Sequence, residues 1–230
     1  MPIFTLSKTK VEFPPPELAT AYGGLLAVGG DLRVERLLQA YSNGIFPWPS
    51  DDVPLAWWSP DPRFVVYPEA LKVPKSLARV MKKEPFTFTV DRCFADVIHH
   101  CSATERPDQD GTWITTKIRQ AYIALHQAGH AHSFEAWSDG RLVGGLYGVS
   151  LGRCFFGESM FAHAPDASKS AFVTLAKALF QQGCPFIDCQ VYTDHLARFG
   201  AEEIPRARFL SQLRSALASP SPSIDWAALV

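Results

Sequence analysis

The run Ser133-Phe134-Glu135-Ala136-Trp137-Ser138-Asp139-Gly140-Arg141-Leu142-Val143-Gly144-Gly145-Leu146-Tyr147-Gly148-Val149 decides the fold. Its pattern has a period of two, as on a β-strand whose successive side chains face opposite sides. Asp139-Gly140 between the two halves is a hairpin signal, because both residues tolerate the positive φ of a tight turn. Ser133 to Trp137, Leu142 to Val149 and Cys154 to Phe156 therefore read as successive strands of an antiparallel meander. Toward the C-terminus the period changes. Asp166 to Gln182 reads as a helix with Phe172, Leu175, Leu179 and Phe180 as its buried stripe and Gly183 as its stop. Pro185 to Val191 is a short apolar run suited to a buried strand. A strand, helix, strand unit beside a meander gives a mixed α/β domain. Asp194 to Gly200 and Arg206 to Leu217 read as helical, and Ser219 to Val230 as a loosely held tail.

Toward the N-terminus, Ile118 to Gln127 reads as a helix closed by Gly129, Cys93 to Cys101 as a shorter helix and Phe86 to Val90 as a strand. Pro74 to Glu84 is amphipathic: Lys75, Arg79, Lys82 and Lys83 share one helical face, and Leu77, Val80 and Met81 the other. The first third is dense in turn formers, among them Pro14-Pro15-Pro16, Gly29-Gly30, Pro54, Pro60 and Pro62, with a helix from Arg33 to Ser42 stopped by Asn43-Gly44. A boundary is expected near Arg63, giving a small turn-rich N-terminal domain over 1–63 and a larger domain over 64–230.

The 230 residues are 47% hydrophobic and 20% charged, the composition of an ordinary globular chain. A formal net charge of -1 excludes a generally basic nucleic-acid coat, so any RNA contact must use a local patch, and the Lys75 to Lys83 face is the one available. Five cysteines without the close spacing of a disulfide framework fit a reducing cytoplasm, and no stretch reaches membrane-spanning length.

Two segments offer chemistry. Gly157-Glu158-Ser159-Met160-Phe161 places an acid and a hydroxyl where a strand is expected to give way to a loop, although a surface acid and a turn former would fit equally. In Ile187-Asp188-Cys189-Gln190 the carboxylate and the amide, two residues apart on a strand, project to one face. An acid in an apolar strand requires a hydrogen-bonding partner, a strand end or a cleft. Other constellations carry less. His126, His130 and His132, with His99 and His100 elsewhere, lack a carboxylate at ligand spacing, and Cys184 and Cys189 lack a second cysteine pair, so no metal is expected. Ser159 lacks the second glycine of a nucleophile elbow, and the Gly-Gly pairs match no nucleotide-binding fingerprint.

The chain resembles the leucyl/phenylalanyl-tRNA-protein transferases through Gly24 to Leu32, Gly44-Ile45-Phe46-Pro47-Trp48, Trp57 to Arg63, Gly111-Thr112-Trp113-Ile114-Thr115, Gly129 to Ser133, Gly157 to Phe161 and Ile187 to Gln190. The resemblance implies a small N-terminal domain followed by a GNAT-like mixed-sheet acyltransferase domain. It implies transfer of Leu or Phe from aminoacyl-tRNA to the α-amino group of proteins beginning with Arg or Lys, a tag for N-terminal-rule degradation. Catalysis would fall to Asp188, Gln190 and Glu158, with Asp188 as base or electrostatic partner of the amine. Leu146, Phe155, Met160 and Ile187 would form the aminoacyl side-chain pocket, and Trp48 and Trp113 would wall in the terminal adenosine. Lys75, Arg79, Lys82 and Lys83 would meet phosphates of the tRNA acceptor stem. No cofactor is implied, because an aminoacyl ester is already activated, and the protein is expected to be a cytoplasmic monomer. Thr193 stands where some members carry Asn. A rival acyl-CoA enzyme would need a phosphate-cradling turn that opens a helix, whereas Arg141 to Leu146 precedes a strand; a noncatalytic tRNA-binding adaptor would leave Asp188 and Gln190 idle.

Overall fold

The computed structural model describes residues 3–20, 23–49, 55–104, 112–220 and 223–230. Pro54 and Gly111, singled out above, lie outside them. The chain opens with β1 (Phe4–Leu6), β2 (Leu25–Gly29), α1 (Val34–Ser42), β3 (Phe46–Pro47) and β4 (Ala56–Trp58). These strands form a four-stranded sheet in the order β1-β2-β4-β3. The larger part comprises β5 (Arg63–Val66), α2 (Lys75–Met81), β6 (Thr87–Val90), α3 (Phe94–Ala103), α4 (Thr116–Gln127), β7 (Ala131–Ser138), β8 (Arg141–Leu151) and β9 (Cys154–Ala162). It continues with α5 (Ala167–Gln181), β10 (Ile187–Gln190), α6 (Asp194–Ala197), β11 (Glu202–Ile204) and α7 (Arg206–Ala218). Its seven strands run β11-β5-β10-β9-β8-β7-β6. The fold is thus mixed α/β, a small N-terminal sheet domain followed by a larger mixed sheet.

The meander forms as its pattern predicts. β7, β8 and β9 are consecutive antiparallel neighbours, and both Asp139 and Gly140 take positive φ at the first turn. α5 then crosses over, its Phe172, Leu175 and Leu179 buried, so that β10 lies parallel to β9. Gly183 follows this helix at φ +83°, the left-handed conformation that ends a helix without a Cβ penalty.

Two expectations are corrected. β9 does not stop at Phe156 but continues to Ala162, so Gly157 to Phe161 is strand. Pairing with β8 extends it, with a bulge: Tyr147 faces Ser159 and Gly148 faces Gly157, which leaves Glu158 as the extra residue. The loose tail is instead docked, with Ile224, Trp226 and Leu229 buried against the larger sheet. Arg63, beside which the boundary was expected, begins β5 inside the second sheet and is wholly buried. One hydrophobic cluster runs across both sheets, joining Leu26, Leu37 and Trp57 to Tyr147, Phe156 and Phe209. No helix among the described residues is long and apolar enough to cross a membrane.

Candidate active site

β9 and β10 pair in parallel only at Phe155 with Ile187 and Phe156 with Asp188. Beyond those pairs opens a cavity of about 600 Å³, lined by the second half of β9 and by the chain from Cys189 through Leu196. Such a gap arises because both strands carry a bulge here. On β9 the extra residue is Glu158, and on β10 Asp188 faces Val65 while Gln190 faces Phe64, which leaves Cys189 unpaired against β5. Gln190 sits at φ +64°, a left-handed conformation that a residue with a side chain adopts only when its surroundings impose it. The imposing contacts are visible. Asp188 Oδ1 accepts from the Gln190 backbone N–H at 3.0 Å, and Gln190 Nε2 donates to Glu158 Oε1 at 2.7 Å.

Glu158 is the hub of a polar network at the cavity wall. Tyr41 Oη lies 2.7 Å from its Oε1 and Tyr122 Oη 3.1 Å from its Oε2, and the two phenol oxygens also lie within hydrogen-bonding reach of each other, so two phenolic protons are shared among three contacts. Burial pushes the Glu158 carboxyl up to about 7; hydrogen bonds from Tyr41, Tyr122 and Gln190 oppose that rise and the nearby Asp188 charge adds to it. Burial likewise raises both phenols well above their ordinary value. A carboxylate has about four lone-pair sites, and at most three donors, the Gln190 amide and the two phenols, reach Glu158, so room for one more remains. The Gln190 side-chain carbonyl accepts no hydrogen bond among the described residues.

Asp188 answers differently from expectation. It is fully buried and does not line the cavity. Its carboxylate is gripped by Arg63, Nε to Oδ1 at 2.8 Å and Nη2 to Oδ2 at 2.6 Å, a bidentate pair with both side chains 0% exposed. The guanidinium also donates to the Gly44 carbonyl at 3.1 Å and lies between the rings of Phe46 and Phe209. The acid did require a partner, and the partner is an arginine 125 positions away in sequence. Shared face and strand spacing therefore unite Asp188 and Gln190 through backbone and bulge, not through a common exposed surface.

The remaining expected residues separate into two groups. Leu146, Phe155, Met160 and Ile187 line one apolar part of the cavity, joined by Phe172, Ser168 and Leu196, which sequence reasoning did not single out. Trp48 and Trp113 line it as well, with Trp48 edge-on to Trp58. Thr193 lines it and caps α6, its Oγ1 accepting from the Leu196 N–H. Lys75, Arg79, Lys82 and Lys83 do not line it; all four are exposed on α2 and the turn after it, with Leu77 buried beneath. Among the described residues no three His, Cys, Asp or Glu side chains gather as a metal ion would require. His126 and His132 lie against Asp91 instead.

Residues 65–214 match the model of the leucyl/phenylalanyl-tRNA protein transferase family, and residues 30–61 match that family's N-terminal domain. The chain belongs to this family. It is accordingly an enzyme, a transferase. A leucyl/phenylalanyl-tRNA–protein transferase of Anaeromyxobacter sp. (strain Fw109-5) is 56% identical over 226 residues, covering 98% of this chain and 95% of its own. That of Myxococcus xanthus (strain DK1622) is 56% identical over 227 residues, covering 98% and 97%. That of Nitratidesulfovibrio vulgaris (strain DP4) is 56% identical over 203 residues, covering 88% and 87%.

Sequence reasoning missed Arg63, Tyr41 and Tyr122 as parts of the enzyme's site. A signal for Arg63 existed, since an acid inside an apolar strand calls for a cation somewhere in the chain. The tyrosines sit on the apolar faces of α1 and α4, where a phenol ring reads as core until its hydroxyl finds a partner.

Proposed function

We propose that the enzyme transfers a leucyl or phenylalanyl group from its tRNA to the α-amino group of a protein that begins with Arg or Lys, marking that protein for N-terminal-rule degradation. The observation that carries this reading is that the hydrogen-bonded Glu158 and Gln190 line one cavity together with apolar side chains and two tryptophans. An apolar pocket suits an unbranched-at-β aliphatic or aromatic side chain, and indole faces suit a terminal adenine. Burial of the ester between them would present its carbonyl carbon to the incoming amine.

The chemistry asks for little beyond position and a proton acceptor. An α-ammonium has a pKa near 7.7 to 8.0, and a carboxylate with a value of about 7 is matched to take its proton at cell pH. We assign that acceptance to Glu158 and a hydrogen bond to the attacking nitrogen to the Gln190 carbonyl. The neutral amine attacks the ester carbon; as the tetrahedral adduct collapses and the bond from carbon to the ribose oxygen breaks, Glu158 gives the proton it holds to that oxygen and takes the second proton from the nitrogen, leaving an amide and a free ribose hydroxyl. Asp188 takes a positioning role: paired with Arg63, it fixes the bulge that aims Gln190. The cationic face of α2 would meet tRNA phosphates in a sequence-tolerant, salt-sensitive way. A dependence on aminoacyl-tRNA places the reaction in the cytoplasm, and we assign the working unit as a monomer needing no cofactor.

The test is to incubate the enzyme with radiolabelled Leu-tRNA and a peptide beginning with Arg, beside a Gly-starting peptide and an acetyl-CoA donor. Label in the Arg peptide alone is the expected result. Transfer from acetyl-CoA, or none from any donor, would overturn the assignment.

A further inference from the structure

We propose that Trp226 sets the size of the aminoacyl pocket from behind, by holding the ring of Phe155 in place. The inference rests on the reading of that part of the cavity as the aminoacyl side-chain pocket. Phe155 lines the cavity, yet its position is not set by cavity residues alone. Its ring lies over Gly148, where a Cβ would come within 2.5 Å of the ring carbon Cζ, so one side is seated on bare backbone. Another side meets the indole of Trp226, with ring centroids 5.5 Å apart at 50°.

That indole is itself fixed on three sides. Its Nε1 donates to Ser150 Oγ at 3.2 Å, and Ser150 is the residue paired with Phe155 across β8 and β9. Its face stacks on His132 of β7, with centroids 4.1 Å apart and planes within 6°. Trp226 is 8% exposed. The segment that carries it is clipped at both sides: the Ile224 N–H donates to the Gly152 carbonyl, and Asp225 exchanges two hydrogen bonds with the Gln182 side chain. An aromatic held by a hydrogen bond, a stack and a clipped backbone has no freedom to retreat, so neither has the ring it supports.

Trp226 does not itself line the cavity, so it is a positioning residue that acts through Phe155. Replacing it with a smaller side chain would let Phe155 move back and enlarge the pocket, favouring the larger donor. A methylene in an apolar pocket discriminates by roughly 10- to 200-fold, and partial relaxation should move selectivity by about three- to tenfold.

The experiment measures kcat/KM for Phe-tRNA and for Leu-tRNA with one Arg-starting peptide, in the full chain, for Trp226→Leu, Trp226→Phe, Ser150→Ala and Phe155→Ala. Binding of each tRNA is read separately by fluorescence anisotropy. Expected are a rise of about three- to tenfold in the Phe to Leu ratio for Trp226→Leu, unchanged tRNA binding, and a ratio within about twofold of wild type for Trp226→Phe. A folded Trp226→Leu enzyme whose kcat/KM falls equally for both donors, while Phe155→Ala shifts the ratio, overturns the proposal and leaves the pocket reading standing. If Phe155→Ala leaves the ratio unmoved as well, the pocket reading fails and takes the proposal with it. Should Trp226→Leu not fold, Ser150→Ala decides: a shift in the same direction supports the proposal, and an unchanged ratio overturns it.

Discussion

Glu158 and Arg63 carry the residue-scale argument. With its carboxyl pushed up to about 7, Glu158 predicts an acidic limb near that pH in the rate of transfer. Glu158→Gln should lower kcat by about 10²- to 10⁴-fold, leave tRNA affinity in place and abolish the limb; a retained limb in the variant would exclude Glu158 as the acceptor. Stability carries the same signature with a definite sign. The folded state holds a proton that the unfolded chain releases above its ordinary value of 4.5, so this group's contribution is full below about 4.5 and is lost as pH rises through about 7. Urea midpoints across that window should fall more steeply with pH for wild type than for Glu158→Gln. Arg63 poses a starker case, because its removal strands a buried carboxylate. Arg63→Met should cost about 3 to 5 kcal/mol in chemical denaturation, whereas replacing both partners with apolar residues should cost much less. Asp188 and Gln190 were legible in the sequence, since an acid and an amide in an apolar strand demand explanation, whereas Glu158, expected at the start of a loop, gained a role only through the family resemblance. Their contacts were not legible, because a partner 125 or 117 positions away leaves no local trace.

At the scale of elements, periodicity was the reliable guide. The meander and α5 follow from period two and period 3.6, whereas the helix read over Pro74 to Glu84 is shorter, α2 ending at Met81 with Lys82 and Lys83 in the turn after it. Lys82→Ala with Lys83→Ala should weaken tRNA binding, reduce the slope of log K against log salt by about one to two, and leave kcat with saturating tRNA nearly unchanged. A fall in kcat with an unaltered salt slope would contradict a phosphate role for this face. Periodicity failed at the bulges. Glu158 on β9 and Cys189 on β10 each insert one residue into the ladder, so a strand read to Phe156 runs on to Ala162, and the alternation that would have announced it is broken at Glu158. It failed also at residues 224–229, where three apolar side chains among polar and small ones read as a tail but fill a groove on the sheet.

For the molecule as a whole, the shared core predicts how it unfolds. Because Leu26, Leu37 and Trp57 of the first sheet belong to the same buried cluster as Tyr147 and Phe209, the two sheets should lose structure together. Tryptophan fluorescence and far-ultraviolet circular dichroism should trace coincident urea transitions; separated midpoints would mean that the sheets are independent folding units. The length and composition of the chain allowed either behaviour, and only the contact pattern distinguishes them. The same closeness has a consequence in time. Tyr41 comes from the first sheet's helix, Tyr122 from the middle of the chain, and Glu158 and Gln190 from its last third. A polypeptide made from its N-terminus onward therefore completes this network late, once Glu158 and Gln190 have joined the earlier tyrosines. On the role proposed for Glu158, a chain not yet extended past Gln190 lacks the contacts that tune its carboxyl, so transfer must wait until most of the sequence has been made.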